Sequence, residues 1–201
     1  MRPPTTRITA VLLATATALV LSACGAGADA GPPAAEQVER SAGMPDEAND
    51  TDVHFLGMMV PHHQQAIDMS ETLLADPRVD PAVRDLAERI RDGQQAENDR
   101  MNAWAGEWGQ QEAMEYHSHH LANGMFNPTV LGNFAQLEGE ELQTRFLKLM
   151  HFHHAEVIAM TQDEVDNGGY PPLTDLAARM IEVQTAEMAE MEELLGYVPS
   201  G

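Results

Sequence analysis

Apolar side chains recur at helical spacing in four long segments of this 201-residue chain. In the first two segments they occupy positions 55, 59, 66, 69 and 73, and then 83, 86, 90, 101, 104 and 108. No stretch alternates apolar and polar residues as a half-buried strand does. The pattern predicts an all-α protein with helices over about 52–74, 80–107, 140–166 and 173–195. Asp50 or Thr51 is predicted to cap the first helix.

The second half of the chain repeats the first. The segment FLGMMVPHHQQAIDMS at 55–70 returns as FLKLMHFHHAEVIAMT at 146–161, and DLAERIRDGQQAENDRM at 85–101 returns as DLAARMIEVQTAEMAEM at 175–191. One helical hairpin cannot bury its apolar stripe alone, whereas two hairpins face to face form a four-helix bundle. We therefore predict a duplicated domain over 51–197, with hairpins 52–107 and 140–195. Its connector, 109–139, carries a short helix near 130–137.

Each first helix carries a histidine pair on its apolar face. At about 100° per residue, His62 and His63 both fall within that face, with Met59 one turn earlier. The same holds for His153 and His154. Pro61 removes the hydrogen bond to the Gly57 carbonyl and favours a kink beside the first pair.

Each second helix carries a carboxylate in the middle of its apolar face. Glu97 lies there beside Gln94, and Glu187 beside Gln184. A buried carboxylate must pair, protonate or bind a cation, because leaving it ionised and alone is very costly. Counting residues from each hairpin turn, we predict that Glu97 faces His62 and that Glu187 faces His153.

Imidazole and thioether together are a ligand set typical of copper. The candidate ligands are Met59, His62, His63, Met69, Met150, His153, His154 and Met160. Six further residues either orient the imidazoles or bind the metal directly: Gln94, Glu97, Met101, Gln184, Glu187 and Met191. The alternative is that the methionines fill the core and the histidines and glutamates form a purely structural polar layer.

The connector holds a second group of soft and borderline ligands. They are Met114, His117, His119, His120 and Met125. Histidines in a flexible loop suit capture of Cu(II) or zinc. The alternative is a polar loop whose histidines have no ligand.

The first 24 residues have the features of an export signal. Arg2 and Arg7 precede a short apolar core at 8–21, which is too short to span a membrane. The sequence Leu21-Ser22-Ala23-Cys24 resembles the lipobox of bacterial lipoproteins. This resemblance implies lipidation at Cys24 and anchoring to the outer face of the bacterial cell membrane; the alternative is a plain secretory signal. Residues 25–50 are predicted to be a flexible acidic tether.

Charge and composition narrow the function further. The net charge of -21 argues against nucleic acid as a partner. Cys24 is the only cysteine, so the folded part has neither a disulfide nor a thiolate ligand. The sequence lacks a phosphate loop, a nucleophile elbow, an HExxH motif and the Glu-x-x-His motif of di-iron bundles. We therefore predict that the protein is not an enzyme, with a di-metal oxidase as a lesser alternative.

The pattern FLxxMxxHHxxAIxM, followed by a helix with QxxExxxM, resembles the domain of unknown function 305 family over residues 50–195. The resemblance implies a ferritin-like four-helix domain of an exported bacterial protein, and some members are linked to copper. This chain departs from the family pattern at Asn98, Gln143 and Val157, so the halves are not expected to be equivalent.

The leading hypothesis is a lipid-anchored protein that sequesters or transfers copper as Cu(I) or Cu(II). The alternative is an acidic bundle that binds another envelope protein or a second copy of itself.

Overall fold

The described residues form four long helices and two short ones. The computed structural model describes residues 43–118, 123–197 and 199, with the backbone alone at 116–118. The helices are α1 (Asp50–Leu74), α2 (Pro81–Trp108), α3 (Gln111–Ser118), α4 (Pro128–Phe134), α5 (Gly139–Asn167) and α6 (Pro171–Leu195). Every element in these ranges is helical, which confirms the all-α prediction.

The four long helices lie where the apolar periodicity predicts them. In the connector, α4 begins two residues before the predicted short helix, and α3 was not predicted because it is only eight residues long. None of the described helices is long and apolar enough to span a membrane. The proposed signal, Cys24 and most of the proposed tether lie outside the described residues and stay predictions.

The start of α1 is capped by Asn49, so the prediction of Asp50 or Thr51 was wrong. The Asn49 side chain accepts hydrogen bonds from the backbone N–H groups of Thr51 and Asp52 at 2.8 and 3.3 Å. The Asp52 carboxylate accepts in return from the Asn49 N–H at 2.7 Å, which completes a capping box. Asn49 fits this position because its short amide reaches the exposed donors of the first turn.

Asp52 and Gln143 fasten the two hairpins to each other. Asp52 accepts from the N–H groups of Gly169 and Tyr170 in the α5–α6 turn, both at 3.0 Å. Gln143 stands at the equivalent place on α5, and its Oε1 accepts from the N–H of Asp80, in the α1–α2 turn, at 2.9 Å. The amide thus makes one of the contacts that the carboxylate makes in the other half.

We expect Asn49→Ala to lower the free energy of unfolding by about 1 kcal/mol, because the capped donors of α1 lose their acceptor. Asn49→Asp keeps the capping oxygen and, like the alanine variant, loses the Nδ2–H bond to the Asn167 carbonyl, so it isolates the cap; its expected loss is less than about half that value. Urea unfolding at pH 7 measures both variants. Equal losses in the two would show that capping is not what Asn49 contributes.

The core is divided into two apolar clusters with a polar layer between them. Cluster A joins the N-terminal halves of α1 and α6 to the C-terminal halves of α2 and α5. Cluster B joins the opposite halves of the same four helices. This division requires α1 and α5 to run antiparallel, like the two helices within each hairpin. The polar layer consists of His62, His63, Gln94, Glu97, Asn98, His153, His154, Gln184 and Glu187.

Candidate metal centre

Two histidines from different hairpins meet at the centre of the polar layer. The rings of His62 on α1 and His153 on α5 stack with centroids 3.6 Å apart and an interplanar angle of 23°. Both side chains are buried. Burial is the main cause that lowers the pKa of each well below 6.5, and the neighbouring imidazoles add to the effect. Both rings are therefore neutral at pH 7.

The outer histidine of each pair is bound to a glutamate of its own hairpin. His63 Nε2 lies 2.7 Å from Glu97 Oε2, and His154 Nε2 lies 2.8 Å from Glu187 Oε2. The prediction that Glu97 faces His62 and Glu187 faces His153 was wrong. Adjacent residues of a helix point about 100° apart. On α1, the second histidine faces α2 while the first faces α5.

These contacts leave imidazole nitrogens without a partner in the described structure. An ionised carboxylate only accepts, so His63 and His154 donate through Nε2–H, and the neutral form of each ring has its lone pair at Nδ1. His62 donates its Nε2–H to the Asn123 carbonyl at 3.1 Å, which leaves its Nδ1 in the same state. Unpartnered nitrogens are His62 Nδ1, His63 Nδ1, His154 Nδ1 and both nitrogens of His153. Buried polar atoms are rarely left without a hydrogen-bond partner. The unprotonated nitrogen of a neutral imidazole can bind a metal ion.

Methionines flank each His–Glu pair on one side. Met59 precedes His63 by one turn on α1, and Met101 follows Glu97 by one turn on α2. Because the two helices are antiparallel, both methionines lie at the same level, and both are buried in cluster A. A helical side chain leans towards the N-terminus, so the His63 ring leans towards Met59.

The second half repeats this arrangement. Met150 precedes His154 by one turn, Met191 follows Glu187 by one turn, and both methionines are buried in cluster B. Each half therefore offers two thioethers and one imidazole with a free lone pair.

Each of the two remaining predicted methionines, Met69 and Met160, lies with the apolar cluster that holds the methionines of the other hairpin. Met69 of α1 is buried in cluster B with Met150 and Met191. Met160 of α5 packs against cluster A, and the Asn123 side chain approaches its Sδ at 3.1 Å. Met69 and Met160 lie in these places because α1 and α5 cross antiparallel. The repeated motif does not indicate the direction of that crossing.

Glutamine amides complete the polar layer. Neither amide atom of Gln94 has a partner among the described residues, and Oε1 of Gln184 lacks one as well. Asn98 donates to the Val60 carbonyl at 3.1 Å, next to Pro61. Helix α1 continues through Pro61 as one element.

The connector covers the two central histidines, His62 and His153. The sequence did not predict this cover. Gln65 on α1 accepts from the Phe126 N–H at 2.7 Å and donates to the Phe126 carbonyl at 3.0 Å. The Phe126 ring thereby stacks near His153, with centroids 6.0 Å apart. The connector has no periodicity that could have indicated these contacts.

The described residues bring together only two members of the predicted metal site in the connector. Met114, which is buried in cluster A, and Met125 line the same cavity of about 470 Å³ beside Pro61. The side chain of His117, and all of His119 and His120, lie outside the described residues. The connector site therefore stays a prediction. In the part of the chain that the structure describes, no cluster of three or more His, Cys, Asp or Glu side chains is arranged to hold a metal ion.

The fold and this layer define an all-α domain made of two related hairpins around buried histidines and methionines. The chain belongs to the DUF305 family, "Domain of unknown function", whose model matches residues 52–195. No sequence among the curated proteins matches it.

Three solved structures illustrate the similarity. A DUF305 fragment from Deinococcus radiodurans is 29% identical, with a TM-score of 0.64, over 74% of this chain and 97% of that one. A Streptomyces coelicolor DUF305 protein, inferred to be secreted, is 25% identical with a TM-score of 0.67, over 75% and 97%. CopM in its Cu(II)-bound form is 28% identical with a TM-score of 0.61, over 72% and 95%. CopM has also been solved with Cu(I) and with silver.

Proposed function

We propose that this protein binds copper ions in its polar layer. The observation that carries the proposal is the set of five buried imidazole nitrogens that have no partner in the described structure. A layer that only specified the bundle would be expected to satisfy its hydrogen bonds, since an unmet buried polar atom costs about 1–3 kcal/mol. A metal ion would supply the missing partner of these nitrogens, so copper binding accounts for their lack of hydrogen bonds.

The donor set favours Cu(I), which soft thioethers select. In the first half we assign the metal to His63 Nδ1 with the thioethers of Met59 and Met101. In the second half the equivalent donors are His154, Met150 and Met191. The central His62 and His153 lie between these sets and could pass an ion from one to the other. CopM, which has been solved with Cu(II), Cu(I) and silver, supports copper binding, and silver is a soft cation like Cu(I).

Glu97 and Glu187 act as orienting groups in this proposal. Each carboxylate accepts the Nε2–H of its histidine and so fixes the lone pair at Nδ1, facing away from the carboxylate. A carboxylate behind an imidazole also raises its basicity as a ligand. The glutamates thus contribute to metal binding without touching the ion.

The cellular setting of the proposal comes from the sequence and the relatives. The inferred secretion of the Streptomyces coelicolor relative favours export of this chain. Anchoring through Cys24 stays a prediction. An exported protein with these sites would sequester copper in the cell envelope or hand it to a partner there.

A Cu(I) titration against a chromophoric chelator tests the proposal. We expect about two ions per chain, one for each thioether–imidazole set. Met59→Leu with Met101→Leu is expected to remove about one of the two, because leucine keeps the core volume but has no lone pair. Met150→Leu with Met191→Leu is expected to remove the other.

The matched control is Met44→Leu with Met58→Leu, since both residues are buried but lie outside the two proposed sets. This control should leave the stoichiometry unchanged. Loss of no ion in either test variant would refute the assignment to these methionines. Absence of Cu(I) binding by the unmodified chain would refute the proposed function itself.

A further inference from the structure

The proposed copper sites are closed to solvent. The four imidazoles of the polar layer are all buried. Their carboxylate partners are less enclosed: the side chain of Glu97 is 21% exposed and that of Glu187 is 9% exposed. The layer therefore approaches the surface on its glutamate side, where α2 and α6 run side by side.

The seam between α2 and α6 contains a small polar cavity. These two helices pack mainly on α1 and α5 and contact each other little. The cavity between them has a volume of about 40 Å³ and is lined by Gln94, Glu97, Gln184 and Glu187, among others. These four residues are the equivalent positions of the two hairpins. We call this cavity the vestibule.

The donors that line the vestibule suit a cation. Gln94 is buried with both amide atoms unpartnered, and Oε1 of Gln184 is buried and unpartnered as well. The two carboxylates and the two amide oxygens carry full or partial negative charge and can face a cation, whereas the NH₂ group of each amide only donates and must turn away from it. A cavity needs about 10–15 Å³ to hold one water, so the vestibule has room for a cation with one or two waters. Arg89 also lines it, but its guanidinium is bound to Glu190.

The mouth of the vestibule is open on the α2 side. A Cβ built at Gly93 would meet no atom within 4 Å, so the space beyond it is empty. The equivalent residue on α6 is Val183, an apolar side chain that is 51% exposed. A Cβ at Gly93 would therefore displace nothing, and only a side chain much larger than a methyl group would reach across the mouth.

The larger cavity on the opposite face does not offer the same access. Its volume is about 470 Å³. None of the four imidazoles lines either cavity, but the larger one also lacks Glu97 and Glu187, the carboxylates that accept from His63 and His154. Val60, Pro61, Met114, Met125 and Leu131 give it a mainly apolar wall.

We propose that the vestibule is the entrance through which a metal cation reaches the buried imidazoles. The inference rests on the proposed copper function and adds the route. The oxygen atoms of Gln94, Gln184, Glu97 and Glu187 hold the incoming cation only in passage, because hard oxygen donors bind Cu(I) more weakly than the thioethers and imidazoles inside do. Each of these carboxylates also accepts a hydrogen bond from a histidine of a proposed site. An ion in the vestibule is therefore separated from its final ligands only by the His–Glu pair.

Rapid-mixing measurements of Cu(I) transfer from a chelator test this route. Gly93→Trp is expected to slow both uptake and release at least 10-fold, with the dissociation constant and stoichiometry unchanged, because a steric block at an entrance alters rates only. Gly93→Ala is the matched control at the same position, and Gln64→Trp places the same bulk beside the larger cavity. Both controls are expected to transfer Cu(I) at the unmodified rate.

A second variant removes the donors and leaves the mouth open. Gln94→Leu with Gln184→Leu keeps both His–Glu pairs and is expected to slow uptake at least 10-fold. Unchanged rates in Gly93→Trp, or slowing in Gln64→Trp alone, would overturn the route while Cu(I) binding itself persisted. Failure of the unmodified chain to take up Cu(I) would overturn the proposed function and the route together.

Discussion

Glu187→Leu is expected to lower the free energy of unfolding by about 3 kcal/mol, whereas Glu97→Leu is expected to lower it by only about 1 kcal/mol. Each change leaves a buried imidazole N–H without its acceptor, at His154 and at His63. The difference arises from access of water. The Glu187 side chain is 9% exposed and the Glu97 side chain 21% exposed, so water can replace the lost acceptor more readily in the first half.

Glutamine at the same positions is the control for shape and hydrogen bonding. The amide oxygen of Glu187→Gln can still accept the Nε2–H of His154, so we expect it to restore most of the loss. Urea unfolding at pH 7 gives the free energies of all four variants. Equal losses for the two leucine variants would show that exposure of the carboxylate does not set the cost. A loss in Glu187→Gln as large as in Glu187→Leu would show that acceptance of the N–H is not the relevant interaction.

Much of the fold could be predicted because its helices are amphipathic and duplicated. Repetition of FLxxMxxHH and QxxExxxM in the two halves is sufficient to predict a His–Glu layer that crosses both hairpins. Depth along a helix pair follows from counting residues away from a turn. The counting fails by one residue at His62 and His63, and one residue rotates a side chain by about 100°. For this reason the layer was predicted but its pairing was wrong.

Contacts between the hairpins could not be predicted from one hairpin. The direction in which α1 crosses α5 decides that Met69 lies with Met150 and that Met160 lies with Met59. The stack of His62 on His153 depends on the same crossing. No local spacing encodes that direction, because both parallel and antiparallel crossings would bury the same apolar stripes.

The connector illustrates a different limit. Its hydrogen bonds to α1 join the side chains of His62 and Gln65 to backbone groups of residues 123 and 126. Such bonds are made by a polar side chain and any residue's backbone, so they leave no signal in the residue types of the connector. The Phe126 ring beside His153 does depend on residue type, but a single aromatic residue outside any periodic pattern does not indicate its partner.

The free energy of unfolding is expected to be highest near pH 6.5 and to fall on both sides. On the acid side, the pKa of His62 and of His153 lies well below 6.5 in the folded state, mainly because both rings are buried. The unfolded chain takes up two protons as the pH falls below 6.5, and the folded chain does not. These rings alone would lower stability by about 2.7 kcal/mol per pH unit.

On the alkaline side the relevant group is Glu164 on α5. Burial, with the neighbouring Asp52 as the next cause, raises its pKa from 4.5 to about 9. The folded chain keeps this proton between those two values and the unfolded chain does not, so stability falls as the pH rises through the whole window. The slope is about 1.4 kcal/mol per pH unit for one proton. Below pH 6.5 the same group opposes the histidines and leaves a net loss of about 1.4 kcal/mol per unit.

Two variants separate these contributions, measured by urea unfolding between pH 5 and pH 8.5. Glu164→Gln is expected to flatten the alkaline side and to steepen the acid side to about 2.7 kcal/mol per pH unit. His153→Phe is expected to flatten the acid side, because one histidine proton then balances the proton on Glu164. The Arg78 side chain holds the pKa of Asp76 below its usual range. The stability that Asp76 contributes is lost only as the pH falls below the ordinary value of 3.8, which lies outside the range measured. If stability still fell at alkaline pH in Glu164→Gln, another group would have to titrate there. If it still fell at acid pH in His153→Phe, the stacked imidazoles would not be the groups whose protonation lowers stability.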